Sequence, residues 1–226
     1  MKFWYLTDTG NQATLADLDE PVMEKIEKQY GPVWPWNPGQ RPAGIPIHVK
    51  VARRFTDFIW TWYSQCLIQD KVLNMFKEEG FTGFDVWPVR AKLKTRPNAP
   101  DAPEIPTLWE IILTGWGGIA PPESGIRVIK IVEGCKYYSS WTDASRIIDE
   151  SQWDGSDFFM VWPLPGFIFV TDRVVEFIRK NKLTGVKVIP ADAIAGPATE
   201  SVVPGDLRQW MPEPRAREIG EPLGIY

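Results

Sequence analysis

Residues 155–194 read GSDFFMVWPLPGFIFVTDRVVEFIRKNKLTGVKVIPADAI, and residues 55–94 read FTDFIWTWYSQCLIQDKVLNMFKEEGFTGFDVWPVRAKLK. They read as two copies of one unit. Asp57, Phe58 and Trp62 match Asp157, Phe158 and Trp162 at an offset of 100, and Asp70, Val72, Thr82, Gly83, Val86 and Pro88 match Asp172, Val174, Thr184, Gly185, Val188 and Pro190 at an offset of 102. The change of offset falls where the second stretch carries Pro163, Pro165 and Gly166, as an insertion in a turn should. The same order of apolar run, acidic residue, amphipathic helix, Thr-Gly and strand recurs in both, and agreement at several levels weighs more than a bare count of identities.

Each copy predicts a strand, a helix and a strand. Phe167 to Val170 are β-branched and aromatic and follow a Pro-Gly turn. Thr171 and Asp172 offer oxygens to the free N–H groups of a helix start. Val174, Phe177 and Ile178 at i, i+3, i+4 make an apolar face, with Val72, Leu73, Met75 and Phe76 in the same places of the first copy. Gly80 and Asn181 are the expected left-handed helix ends, and Gly83 and Gly185 the expected turn positions with positive φ. The fold class expected is α+β, with two internally repeated strand–helix–strand units packing helices on a mixed or antiparallel sheet. Pro-rich loops connect it.

Outward from the two copies, Phe3 to Leu6 reads as a strand and Leu15 to Gly31 as a helix with a Val22, Ile26, Tyr30 face. The stretch 32–46, with Trp34, Trp36 and five prolines, excludes a helix or central strand. Thr95 to Pro106 reads as an extended connector, which sets the expected halves at 1–98 and 99–226. Leu108–Thr114 and Ile126–Val132 read as strands around a Gly/Pro turn at 115–125. A helix is expected over 143–150, and a short one over 213–219 closed by Gly220.

The chain has 226 residues, 44% of them apolar, enough for a full core. Its net charge of −4 and pI near 5.2 argue against a nucleic-acid partner. No apolar stretch is long enough for a membrane span, and MKFWYLTDTG is too weakly apolar for a signal peptide. Cys66 and Cys135 are isolated, Cys66 reading as a buried thiol, which suits a reducing cytoplasm. With His48 the only histidine, the residues supply no common zinc site, and no metal or cofactor is expected. The glycines of TGWGGIAPP lack the Lys-Ser/Thr and the helix of a phosphate loop.

The acidic group Asp143, Asp149, Glu150, Asp154 and Asp157, with Trp153 interleaved and Trp141 just before it, has three readings: a solvated face, a surface for a basic partner, or paired carboxylates for acid/base work on a sugar. Asp157 has a counterpart in Asp57 and reads as a turn or capping residue of the unit. Trp62 and Trp162 are equivalent in the copies and read as core.

The segment FIFVTDRVVEFIRKNKLTGVKVIPA (167–191) resembles the C-terminal signature of a bacterial immunity-protein family encoded beside polymorphic toxins. QDKVLNMFKEEGFTGFDVWPV (69–89) resembles its N-terminal half, YYSSWTDASRIIDESQWDGSDFF (137–159) its acidic linker, and WMPEPRAREIGEPLGIY (210–226) the tail of relatives that carry toxin–immunity pairs between siblings. The family is related to the double-CXXCG proteins, but this chain lacks both cysteine pairs, so no metal role carries over. The resemblance implies a cytoplasmic, non-enzymatic protein that blocks a cognate toxin domain by stoichiometric binding. Asp149, Glu150, Trp153 and Asp154 are the expected contacts, as acidic steering groups and an aromatic anchor. The alternatives are a structural or regulatory interaction module, or a carbohydrate-binding or carbohydrate-active protein. A homodimer is possible, although two units in one chain already supply the pairing that a dimer would.

Overall fold

The computed structural model describes residues 2–11, 15–30, 41, 45–62, 64–94, 102–132, 135–139, 146–194 and 201–226. Trp34, Trp36, Trp141 and Asp143 lie outside them, as do Gly31 and the first part of the expected connector.

The chain opens with strand β1 (Phe3–Thr7), the short β2 (Asp17–Leu18) and helix α1 (Glu20–Tyr30), then β3 (Ile47–Val51). The first unit follows as β4 (Phe58–Trp60), β5 (Cys66–Gln69), α2 (Asp70–Glu79) and β6 (Phe84–Leu93). Next come β7 (Leu108–Leu113), β8 (Trp116–Ile119), β9 (Val128–Val132) and β10 (Cys135–Ser139). The second unit is β11 (Phe158–Trp162), β12 (Leu164–Thr171), α3 (Asp172–Lys180) and β13 (Lys187–Pro190), and the chain closes with β14 (Ser201–Val202) and α4 (Glu213–Leu223). The class is α+β, with mixed and antiparallel sheets.

Both stretches fold as strand, strand, helix, strand, one strand more than expected. The extra strand comes from the run after Asp57 or Asp157. Phe58 lies opposite Ile68, and Phe158 opposite Val170, so the two-residue change of offset sits in the hairpin between those strands. Each unit forms a four-stranded antiparallel run in the same spatial order, β4-β5-β7-β6 and β11-β12-β1-β13. The third strand of each run comes from outside its unit. β7 follows the first unit in the chain, whereas β1 lies at the N-terminus, so the sheets cross the boundary expected near residue 98. Beyond these runs, β8 joins β11 in parallel, and β3 and β2 extend the other sheet from β6.

One core joins the units. Phe58, Ile68, Val72, Phe76, Phe158, Val170, Val174 and Ile178 are buried in the same cluster. Phe76 meets Phe158 at 5.4 Å and Phe177 at 5.9 Å, so the two helices and both sheets share aromatic contacts. Two smaller clusters cover the other faces, one with Phe159, Val161 and Phe169, the other with Ile47, Val49 and Leu67.

Several expectations are corrected. Helix α1 starts at Glu20, because residues 17–18 bridge to β3 and only after Asp19 is the backbone free to turn. Met23 is its buried side chain among the described ones, whereas Val22 and Ile26 are half-buried. The glycine-rich 115–125 segment contains a strand, since glycine at 117 lets the backbone lie on the Phe159 ring. Residues 146–149 are not α-helical, and the acidic segment instead makes a 3-10 turn at Glu150–Gln152. Helix α4 continues past Gly220 to Gly224, and Gly220 serves packing, because a Cβ there would press on Tyr226. Gly80 is the left-handed cap of α2 as expected, but after α3 it is Lys182, not Asn181, that adopts positive φ. Thr171 makes no side-chain cap; its hydroxyl donates to Asp157 instead.

Candidate functional site

The polar residues matched between the two stretches hold the units to each other. Asp57 Oδ2 accepts from the backbone N–H and the hydroxyl of Thr184, both at 2.7 Å. Asp157 Oδ2 accepts from the N–H and hydroxyl of Thr82, at 3.1 and 3.3 Å. The backbone follows the same rule: Phe58 N–H donates to Thr184 O and Phe158 N–H to Thr82 O, both at 3.0 Å. Each carboxylate also meets a cation from the first turn of its own helix, Lys71 at 2.5 Å and Arg173 at 3.0 Å. Burial alone would raise the Asp57 carboxyl, but Lys71 and the two Thr184 donors outweigh it and hold it below its ordinary value. Asp70 and Asp172 behave alike, each accepting an indole N–H, from Trp109 at 2.8 Å and Trp4 at 2.7 Å. These carboxylates are structural.

The acidic segment lies beside this clasp, laced to β8. Asp149 accepts from Ser151 N–H at 3.0 Å, Ser151 hydroxyl at 2.7 Å and Gln152 Nε2 at 3.0 Å. The Gln152 bond and then the Ser151 bonds keep its carboxyl below the usual carboxylate value. Gln152 Oε1 accepts the N–H of Ile119, fixing the turn to the strand. Trp153 is half-buried, its ring edge-on to Phe3 at 5.3 Å and its N–H donated to Ser156 O at 3.0 Å. Asp154 accepts from Trp116 N–H at 2.9 Å, Ser156 hydroxyl at 2.5 Å and Arg215 at 2.7 Å. Asp149 is half-buried, and Glu150 and Asp154 are exposed.

The four expected contact residues are thus together on one loop, and two of them also serve the fold. Asp154 borders an open groove of about 500 Å³ whose other walls include Thr82, Asp85, Thr114, Ser156 and Arg215. Arg215, from α4, donates to Thr114 O at 2.9 Å and pairs with Asp154 and Glu218. Its three partners commit the guanidinium to holding the tail against the groove. Sequence reading missed Arg215 and Asp85, which lie far from the acidic segment in the chain and carry no motif.

The remaining candidates separate. Of the tryptophans expected in the core, Trp162 is buried but Trp62 is 53% exposed and bonds through its N–H to Asp17 at 2.9 Å. The equivalence fails because Trp62 has already left β4, which ends at Trp60, whereas Trp162 is still in β11. Trp62, Trp60, Tyr5, Thr7, Asp8 and Thr61 line a second cleft of about 230 Å³. His48 sits half-buried on β3, where burial holds its imidazole below the ordinary value against the opposing pull of Asp19. Cys66 is a free, buried thiol, pushed well up by burial and by Glu110. Arg41 and Glu110 form a buried ion pair at 2.5 Å under Trp87, and among the described residues Arg41 Nε and Glu110 Oε1 lack hydrogen-bond partners. Burial raises the Glu110 carboxyl, and Arg41 opposes that. No group of three or more metal-binding side chains is found among the described residues, and no described helix is long and apolar enough to cross a membrane.

No protein-family profile matches the chain, and no curated protein matches it.

Proposed function

We propose that this is an immunity protein that neutralises a cognate bacterial toxin in the cytoplasm by one-to-one binding, without turnover. The contact surface is the loop bearing Asp149, Glu150, Trp153 and Asp154. The observation that carries this reading is the loop's rigidity. Gln152, Trp153 and Asp154 fasten it to β8, Phe3 and Arg215, Asp149 ties the turn to itself through Ser151 and Gln152, and Glu150 is exposed. A loop already held in one shape loses little conformational entropy on docking. Its carboxylates suit a basic partner, as does the exposed Asp85 on the neighbouring groove. The resemblance of residues 69–89 and 167–191 to toxin-linked immunity proteins supports the same reading.

Co-expression with the toxin domain encoded beside its gene tests it, scored by cell survival for the native chain and for Glu150→Lys. Survival with the native chain and its loss with a variant that still folds, by circular dichroism, is the expected result. Full protection by Glu150→Lys would remove this loop from the interface, and no protection by the native chain against an active toxin would retire the reading for that pair.

A second reading, carbohydrate binding, draws on the cleft that exposed Trp62 lines together with Tyr5, Thr7 and Asp8. A glycan array that gives no signal for the native chain would remove it.

A further inference from the structure

The cleft beside Trp62 has three aromatic side chains in its walls, Tyr5, Trp60 and Trp62. Each is fixed by a partner outside the cleft. Trp62 donates its N–H to Asp17 at 2.9 Å, and Trp60 donates its own to Gly185 O at 3.0 Å. The Tyr5 ring lies 4.8 Å from that of Phe167. Among the described tryptophans Trp62 alone is exposed. An indole whose N–H goes to a carboxylate has a ring face richer in electrons, and such faces attract cations.

Among the described residues Asp8 is the one charged group lining the cleft. It follows β1, on which Tyr5 and Thr7 share a face. Its carboxylate is half-buried, accepts the N–H of Gly10 at 2.5 Å and meets no cation among the described residues. Burial pushes the Tyr5 hydroxyl up and Asp8 pushes it further, against a hydrogen bond with Thr7. The charge of Asp8 therefore reaches the polar end of that ring. A carboxylate that has lost part of its water is best compensated by a cation.

We infer that this cleft binds a small organic ammonium ion, with Asp8 holding the charge and Tyr5, Trp60 and Trp62 holding its alkyl groups. The volume of about 230 Å³ lies below the roughly 300–1,000 Å³ of sites for drug-sized molecules, which limits the ligand to the size of a head group. A bare metal ion fits worse, because one carboxylate falls far short of the about six to eight oxygens that calcium takes. A sugar could stack on Trp62 but would leave Asp8 without a counter-charge. Rings already held in place lose little freedom when the ligand enters. The toxin takes no part in this binding or in its test.

Choline is titrated into the ¹⁵N-labelled full chain, and the indole N–H signals are followed by NMR. The Trp62 signal is identified by its loss in Trp62→Phe. In the native chain it shifts and saturates with a dissociation constant on the order of 1 mM. 3,3-Dimethylbutan-1-ol, which has the shape of choline without the charge, binds at least about tenfold more weakly. Asp8→Asn, whose amide oxygen can still accept from Gly10, weakens choline about tenfold while the other indole signals keep their positions. Glucose leaves the Trp62 signal in place. A Trp62 signal that choline at about 50 mM does not move overturns the inference. So does equal affinity for the neutral isostere, or an Asp8→Asn chain that binds choline as tightly as the native one. Saturation by glucose and not by choline overturns it in favour of a sugar site.

Discussion

Asp57 and Thr184 meet across 127 residues of chain, the carboxylate taking both the backbone N–H and the hydroxyl of the threonine at 2.7 Å. Asp157 and Thr82 make the converse pair. Each unit thereby supplies the acceptor for one joint and the donor for the other, and neither joint forms until both units are folded. Asp57→Ala leaves the Thr184 N–H and the Lys71 ammonium without their anion. We expect a loss of about 2–3 kcal/mol, the range for a charged acceptor removed from buried donors. Asp157→Ala is expected to cost a similar amount. Urea unfolding of the two single variants and the double variant checks this, with one cooperative transition in all.

The two glycines after those threonines are expected to be equally intolerant. Gly83 and Gly185 have φ of +86° and +82°, and a Cβ on either would overlap a backbone carbonyl of the other unit, that of Phe158 or Phe58. Gly80 has a similar φ of +71° with open space around it. Gly80→Ala should therefore cost only the left-handed strain of about 1 kcal/mol, and Gly83→Ala and Gly185→Ala clearly more. Thermal midpoints in that order support the clasp, whereas equal losses at all three would contradict it.

Acid should loosen the same joint. The Asp57 carboxyl is held below its ordinary 3.8. A group depressed in the folded state adds stability that is fully present above the unfolded value and is lost as pH falls through the folded one. Native stability should fall as pH drops below about 4, and Asp57→Asn should show a shallower fall there. Urea midpoints measured across it give the comparison.

The buried pair Arg41–Glu110 holds a residue of the tryptophan-bearing 31–44 stretch to the sheet. Glu110→Ala strands a buried guanidinium, and we expect about 3–5 kcal/mol of destabilisation. Arg41→Met/Glu110→Leu removes both charges and should recover most of that loss. Chemical denaturation of the two variants separates a charge effect from a packing effect.

Much of this architecture was legible in the chain, and for physical reasons. Phe167–Val170 is β-branched and aromatic after a Pro-Gly turn, which favours a strand, and Val174–Ile178 carries the i, i+3, i+4 spacing of a helix. The polar residues shared between the two stretches, Asp57 and Asp157, Thr82 and Thr184, Asp70 and Asp172, are the ones that make long-range hydrogen bonds. Their partners were not legible, because a hydrogen bond between residues 127 apart leaves no local pattern. The Trp116–Ile119 strand was hidden by its glycines, whose role is to admit the rings and side chains of neighbours. At the candidate contact loop, composition located the acidic residues but could not show that Asp154 is committed to Trp116, Ser156 and Arg215, partners distant in the chain or without a motif.

The central claim is sequestration, and mass measurement of the purified mixture tests it most directly. The native chain and the toxin domain encoded beside its gene, combined with the native chain in excess and analysed by native mass spectrometry, should give a complex holding one copy of the toxin for each contacting chain. The free toxin should be gone and its activity lost in proportion. Protection of cells by a chain that forms no complex with that toxin would contradict the account.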